Sequence, residues 1–298
     1  MKQPCEEAPT RPPRGVACRE IQPSDLEAVI DLLTKGFQRL RKRVYWVRVV
    51  RRLSQHKSPP GYPRFGYLLE SDGTPIGVLL TIFSVRQVNG TDHVRCNGSS
   101  LYVEPAFTVY APLLIRRAER HKNVTYLNTT PAAHTWASVE AQGYTCLSTG
   151  QFVCVPLLAR PAVGAIRVRD AGHGARPPEG LEPFEVELLA SHAGYDCICL
   201  VCEYQGTAHP FVFGRRRKFG IPMAHLYYCR DQTEFGHFAA SLGRHLLRCG
   251  ILFAVLDADG PLPGLIGRYV PRGRRYWRGP ESHRIGDLAY TEVAMFGY

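Results

Sequence analysis

The residues with the widest chemical reach lie in the second half of the chain. Cys197-x-Cys199-x-x-Cys202 has the thiol density of a zinc site, but alternation along a strand puts Cys197 and Cys199 on one face and Cys202 on the other. No His or Cys at matching spacing completes a set of ligands, so the pattern reads as small buried apolar side chains and no metal is expected. His225, His237 and His245 flank or lie on one amphipathic stretch, suited either to proton transfer or to a polar helix face with packed imidazoles. The segment Arg268-Tyr-Val-Pro-Arg-Gly-Arg-Arg-Tyr-Trp-Arg-Gly-Pro280 mixes guanidiniums with aromatic rings. As a long basic loop it could stack on bases, clamp a phosphate or cover a substrate pocket.

Two patterned halves must position these residues. Residues 1–15 are rich in Pro, Glu and Arg without periodicity, which predicts a disordered tail. The Gly-, Ala-, Pro- and Arg-dense stretch 159–182 reads as a linker. In the first half, Ser24 and Glu27 have capping-box spacing ahead of a helix with Leu26, Val29, Ile30 and Leu33 on one face. A second helix is expected over 44–53, then a hairpin across Ser-Asp-Gly-Thr-Pro, and a third strand before Pro105 reached through a turn at Asn89-Gly90. Helices over 112–120 and 132–142 then alternate with strands over 124–128 and 144–155. A strand, helix, strand passage inside an antiparallel sheet implies one parallel pair and a splayed sheet edge. The second half repeats much of this order, with Phe235, Phe238, Leu242 and Leu246 along its main helix. Both hairpins share Glu-x-x-Gly-Thr, at Glu70 and at Glu203. The repeated order argues for duplication.

At 298 residues the chain can form two cores, and 45% hydrophobic with 21% charged residues is a globular balance. No apolar run approaches the roughly 20 residues of a membrane span, and the N-terminus lacks a signal-peptide centre. A cytoplasmic setting is expected, with the ten cysteines reduced and the Asn89, Asn97, Asn123 and Asn128 sequons fortuitous. A net charge of +11 favours an anionic partner: nucleic acid, an acidic membrane surface or a phosphorylated cofactor. Apart from Arg215-Arg216-Arg217-Lys218 and residues 272–284, the basic residues are scattered, which fits solvated surface better than a nucleic-acid stripe.

Several segments of residues 16–158 resemble the GNAT superfamily of acyl-coenzyme A (acyl-CoA) transferases. They are Cys18-Arg-Glu-Ile-Gln-Pro-Ser-Asp-Leu26, Tyr67-Leu-Leu-Glu-Ser-Asp-Gly-Thr-Pro-Ile-Gly-Val78, Leu101-Tyr-Val-Glu-Pro-Ala-Phe107, and Asn128 with the later Gly143-Tyr144. The resemblance implies an α/β protein of two GNAT-like domains, each a mixed, mostly antiparallel sheet flanked by helices. Residues 16–158 would be the acyltransferase domain and 183–298 a degenerate second copy. Acetyl-CoA or another acyl-CoA would be the co-substrate, and the acceptor an amine or hydroxyl of a small molecule or protein, attacking directly.

In such proteins a Gln/Arg-x-x-Gly-x-Gly/Ala loop opening a helix binds the pyrophosphate through backbone N–H groups. The equivalent positions here are Thr108, Ala111 and Leu113, none of which keeps the preferred residue. By resemblance the cofactor-binding residues are Val103, Thr108, Val109, Tyr110, Ala111, Leu113 and Asn128. Pro112 removes one donor, while Arg116 and Arg117 either add charge or face solvent. The tyrosine that often acts as acid is replaced by Val139. The remaining catalytic candidates are Glu104, as a base through water or a mere strand terminus, with Tyr102 and Tyr144, the latter equally suited to the core. A non-catalytic binding or scaffolding protein of the same fold stays open, as does, from charge alone, a nucleic-acid binder.

Overall fold

A computed structural model describes residues 15–88, 90–172, 174 and 178–297. All but Gly15 of the expected tail, and Asn89 of the expected turn, lie outside the described residues. The chain divides into two compact units, Met1–Ser84 with Gly98–Lys122, and Val85–Asn97 with Asn123–Tyr298.

The strands are β1 Val16–Glu20, β2 Gly66–Ser71, β3 Thr74–Val88, β4 Thr91–Val103, β5 Val124–Asn128, β6 Thr145–Ser148 and β7 Gly150–Cys154, followed by β8 Arg167–Asp170, β9 Ile198–Tyr204, β10 Thr207–Lys218, β11 Ile221–Tyr228, β12 Phe253–Ala258, β13 Gly267–Val270 and β14 Arg275–Arg278. The helices are α1 Leu26–Gly36, α2 Arg43–Gln55, α3 Ala111–Ala118, α4 Trp136–Ala141, α5 Pro183–Ala193, α6 Gln232–Arg248 and α7 Glu292–Met295. They build two seven-stranded, mostly antiparallel sheets, of order β1-β2-β3-β4-β5-β14-β6 and β8-β9-β10-β11-β12-β7-β13.

The two orders correspond strand for strand. Each sheet has a parallel pair whose strands are joined through a helix: β4 with β5 over Val94–Asn97 and Val124–Leu127, through α3, and β11 with β12 over Met223–His225 and Phe253–Val255, through α6. The hairpins also match, because Asp72 and Gly73 (φ 49° and 77°) and Gln205 and Gly206 (φ 48° and 77°) make the same turn. Two successive positive φ values suit the twist of a tight hairpin, and glycine takes the second without strain.

In the smaller unit, Tyr67, Leu69, Ile76, Leu79 and Val103 pack with Leu114 and Ala118 of α3. α1 packs on α2, whose Arg43 reaches Glu27 and Asp31. In the larger unit the second sheet is covered on both faces. Phe235, Phe238, Leu242 and Leu246 of α6 meet Phe211 and Phe213 on one side, and Leu188 and Leu189 of α5 meet Cys199, Val201 and Val212 with Val293 on the other. Two-sided burial is why β9 reads as a continuous apolar run. Cys199 and Cys202 fall on opposite faces of it.

The structure departs from the sequence reading at several elements. The capping box is Gln22 with Asp25, on a 3-10 turn Pro23–Asp25, rather than Ser24 with Glu27. The single strand expected over 144–155 is two, β6 in the first sheet and β7 in the second. The expected basic loop 268–280 is largely β13 and β14, because Tyr276 is fully buried and Arg275 has a buried partner. The stretch 159–182 contains β8, an edge strand that pairs with β9 while Arg169 reaches Glu203 at 3.0 Å. Its charged residues suit a sheet margin and hide the strand pattern.

Candidate functional site

In the smaller unit β4 ends at Val103, which is buried beside α3. The half-buried Tyr102 packs on α1, so close that a Cβ added to Gly36 would lie 2.3 Å from its ring. Glu104 follows: its amide donates to the Ile76 carbonyl at 2.8 Å, and its carboxylate accepts from Lys35 Nζ at 2.6 Å.

Pro105–Tyr110 form a 3-10 helix that runs straight into α3. The Phe107 amide donates to the Glu104 carbonyl and the Ala111 amide to that of Thr108. Thr108 Oγ1 donates to the Pro105 carbonyl at 3.3 Å. A segment whose amides turn back on its own carbonyls offers an anion less than an open glycine loop does. Val109 is 77% exposed and Leu113 38%, while Tyr110 and Ala111 lean on the core. Arg116 and Arg117 are exposed and make no ion pair among the described residues.

The other expected residues lie in the larger unit. Asn128 closes β5 and pairs with Tyr276. Tyr144 is half-buried beneath the Arg278 guanidinium, 4.9 Å from its ring centroid. Val139 is buried. The β4–β5 ladder stops at Asn97↔Leu127, and a polar group sits at its end. Asn97 Nδ2 donates to the Leu127 carbonyl at 3.0 Å, and Asn97 Oδ1 accepts from the Glu292 amide at 2.6 Å. The Glu292 carboxylate accepts from Thr129 Oγ1 at 3.2 Å and from Thr130.

At the matching place in the second sheet, α6 starts with Asp231, whose carboxylate accepts from the Thr233 amide at 2.8 Å. The chain's own carboxylate thus sits where an anionic ligand would meet that helix.

Two buried charge networks escaped the sequence reading. Arg275 holds Asp257 through Nε at 2.9 Å and Nη2 at 3.2 Å, with Gln151 at 3.2 Å and His225 at 3.4 Å. Burial alone would raise the Asp257 carboxyl, but Arg275 and His225 hold it well below the usual carboxylate range. Burial also lowers His225, against the pull of Asp257.

In the second network Asp287 meets Arg95 at 3.0 Å and Arg86 at 3.2 Å, while Glu185 pairs with Arg230 at 2.6 Å and accepts from Tyr228 at 3.2 Å. Burial is again outweighed at Asp287 by its arginines, and it pushes the neighbouring His283 down to about 4. The readable signal was a lone charge inside an apolar strand, such as Asp257 in Phe-Ala-Val-Leu-Asp-Ala, since such charges demand partners.

Among the described residues no cluster of His, Cys, Asp and Glu could hold a metal ion, and no helix is long and apolar enough to cross a membrane. No family model and no curated protein matches the sequence. Solved structures do match its fold. A GCN5-related N-acetyltransferase from Anabaena variabilis superposes with a TM-score of 0.57 at 10% identity, over 89% of this chain and 72% of its own. A GCN5-related N-acetyltransferase from Kribbella flavida gives 0.56 at 15%, over 89% and 71%. A putative acetyltransferase from Pyrococcus horikoshii gives 0.55 at 12%, over 93% and 94%. The chain has the fold of these acetyltransferases, with two GNAT-like sheets.

Proposed function

We propose that this chain is an acyltransferase that takes its acyl group from acyl-CoA, acetyl-CoA or a longer homologue, and passes it to an amine or hydroxyl of a small molecule or protein. The observation that carries the reading is the end of the β4–β5 ladder, where Asn97, Thr129, Thr130 and Glu292 gather in the larger unit. Parallel strands that part stop pairing with each other and can offer backbone groups to an extended, amide-bearing ligand; here the Asn97 side chain holds the Leu127 carbonyl at the parting. Glu292 is the carboxylate there and takes the acceptor's proton through water. The acceptor attacks the thioester carbon, the C–S bond breaks, and the released thiolate takes a proton from water to end as the thiol of CoA.

Taken by itself, the smaller unit offers a diphosphate such as that of CoA charge more than amides, through Arg116, Arg117 and the Leu113 amide. Charge alone holds a diphosphate weakly and in a salt-dependent way. In this reading 16–158 is the acyltransferase domain, 159–182 connects it to 183–298, which is degenerate as a second copy yet supplies Glu292, and the setting is cytoplasmic.

A second reading, a non-catalytic binding protein of the same shape, is favoured by the 3-10 turn that uses the Phe107 and Ala111 amides and by the buried Val139. Thermal shift with acetyl-CoA and longer acyl-CoA, joined to a thiol-release assay, separates the two. A ligand at a hundred times its Kd stabilises by about 2.7 kcal/mol. A rise in Tm with thiol release that Glu292→Gln abolishes supports transfer. A rise without thiol release leaves binding alone, and no rise at millimolar ligand supports the second reading.

A further inference from the structure

A cavity unrelated to acyl transfer lies in the larger unit. It holds about 430 Å³ between the β9–β10 turn and the first turns of α6, with Tyr204, His209, Thr233, Glu234, His237 and Phe238 on its walls. Four of these side chains are rings set edge to face or tilted. Tyr204 and His237 are 5.1 Å apart at 62°, His237 and Phe238 4.7 Å at 90°, and His209 and Phe238 4.7 Å at 45°. The Tyr204 hydroxyl is fixed, donating to the Val163 carbonyl at 3.0 Å and accepting from Gln205 at 3.1 Å. Its ring is thereby oriented before any ligand arrives.

The one carboxylate in this box is Glu234. Its Oε1 accepts from His209 Nδ1 at 3.1 Å, whereas its Oε2 is buried with no hydrogen-bond partner among the described residues. A buried anionic oxygen without a donor is costly. Aromatic faces carry negative potential and cannot supply a donor, but they reinforce attraction for a cation. In a chain of net charge +11, a pocket that combines both features is made for positive charge. A primary ammonium brings three N–H donors and needs as many acceptors. A methylated ammonium needs none, only a counter-charge and ring faces.

We propose that this pocket binds a methylated ammonium group, that of free choline or of a methylated lysine side chain. The test uses the full chain. Choline, N-acetyl-trimethyllysine amide, n-butylammonium and 3,3-dimethylbutan-1-ol, the uncharged carbon isostere of choline, are titrated by calorimetry, and the N-methyl proton shifts are followed by NMR. Choline or the lysine derivative should bind at least about tenfold more tightly than the isostere. Its methyl resonances should move upfield under the rings, and whichever of the two binds more tightly names the source. Glu234→Gln should weaken binding about tenfold or more with its melting unchanged, and Tyr204→Leu gives an independent variant should Glu234→Gln fold poorly. Equal binding of the isostere, preference for n-butylammonium, unmoved methyl resonances, or full affinity in both variants would overturn the assignment.

Discussion

Replacing Arg275 by Met removes the guanidinium that faces Asp257 with both side chains almost fully buried, 2% and 5% exposed. Its other nitrogen donates to the Thr129 carbonyl, so the change also strips a buried acceptor. Breaking a buried pair by deleting one partner costs about 3–5 kcal/mol, because the remaining charge keeps its desolvation penalty. For a unit of this size each kcal/mol is worth roughly 2–4 °C, so Tm should fall by about 6–20 °C. Asp257→Leu combined with Arg275→Met removes both charges and should recover much of the loss, giving a coupling energy on the order of 2 kcal/mol in a double-mutant cycle.

A pH arm sharpens the test. With Arg275 gone, His225, 3.4 Å from Asp257, loses a neighbouring positive charge that lowers it, so its folded pKa rises relative to the native protein. A less depressed histidine costs the folded state less stability as pH falls through its unfolded pKa of about 6.5. The deficit of Arg275→Met should therefore shrink between pH 7.5 and 5.5, measured by urea midpoints. A single-variant cost below about 1 kcal/mol, additive behaviour in the cycle, or a deficit that grows on acidification would refute the reasoning.

The native protein should behave in the opposite sense. Burial lowers His56, His225 and His283, the last to about 4, so each charges more readily when unfolded, and stability should fall as pH drops from 6.5 towards 4. His283→Gln should flatten that slope in urea titrations at pH 7 and 5. On α6, Gly243→Ala should destabilise by about 1–3 kcal/mol, since a Cβ there would meet the Leu157 nitrogen at 2.4 Å, a backbone atom that cannot turn aside. On the same helix Gly236→Ala meets nothing within 4 Å and should gain up to about 1 kcal/mol, both read by thermal melting.

The strongly periodic elements were legible in the sequence. The α1 and α6 faces, both Gly-Thr hairpins and the helix-bridged parallel pairs follow from local pattern, because one buried stripe or one turn geometry dictates the residues. Elements whose reason lies far along the chain were not. β14 looks like a basic loop because Arg275 is read as exposed until Asp257 is placed opposite it. β8 carries three charged residues around Val168 and shows no alternation of its own. The residues 103–113 were found by counting from Val103, yet nothing in their spelling announces a 3-10 turn that folds amides onto neighbouring carbonyls. Glu292 was invisible for the same reason, since only the fold carries the last helix to Asn97.

The sixth strand of each sheet comes from the opposite half of the sequence: β14 completes the first sheet between β5 and β6, and β7 completes the second between β12 and β13. Cutting the gene at the 159–182 stretch would yield two fragments, each lacking an inner rung and each carrying a loose ribbon cut to fit the other. Neither fragment holds a complete sheet, and mixing the two should restore what neither retains alone.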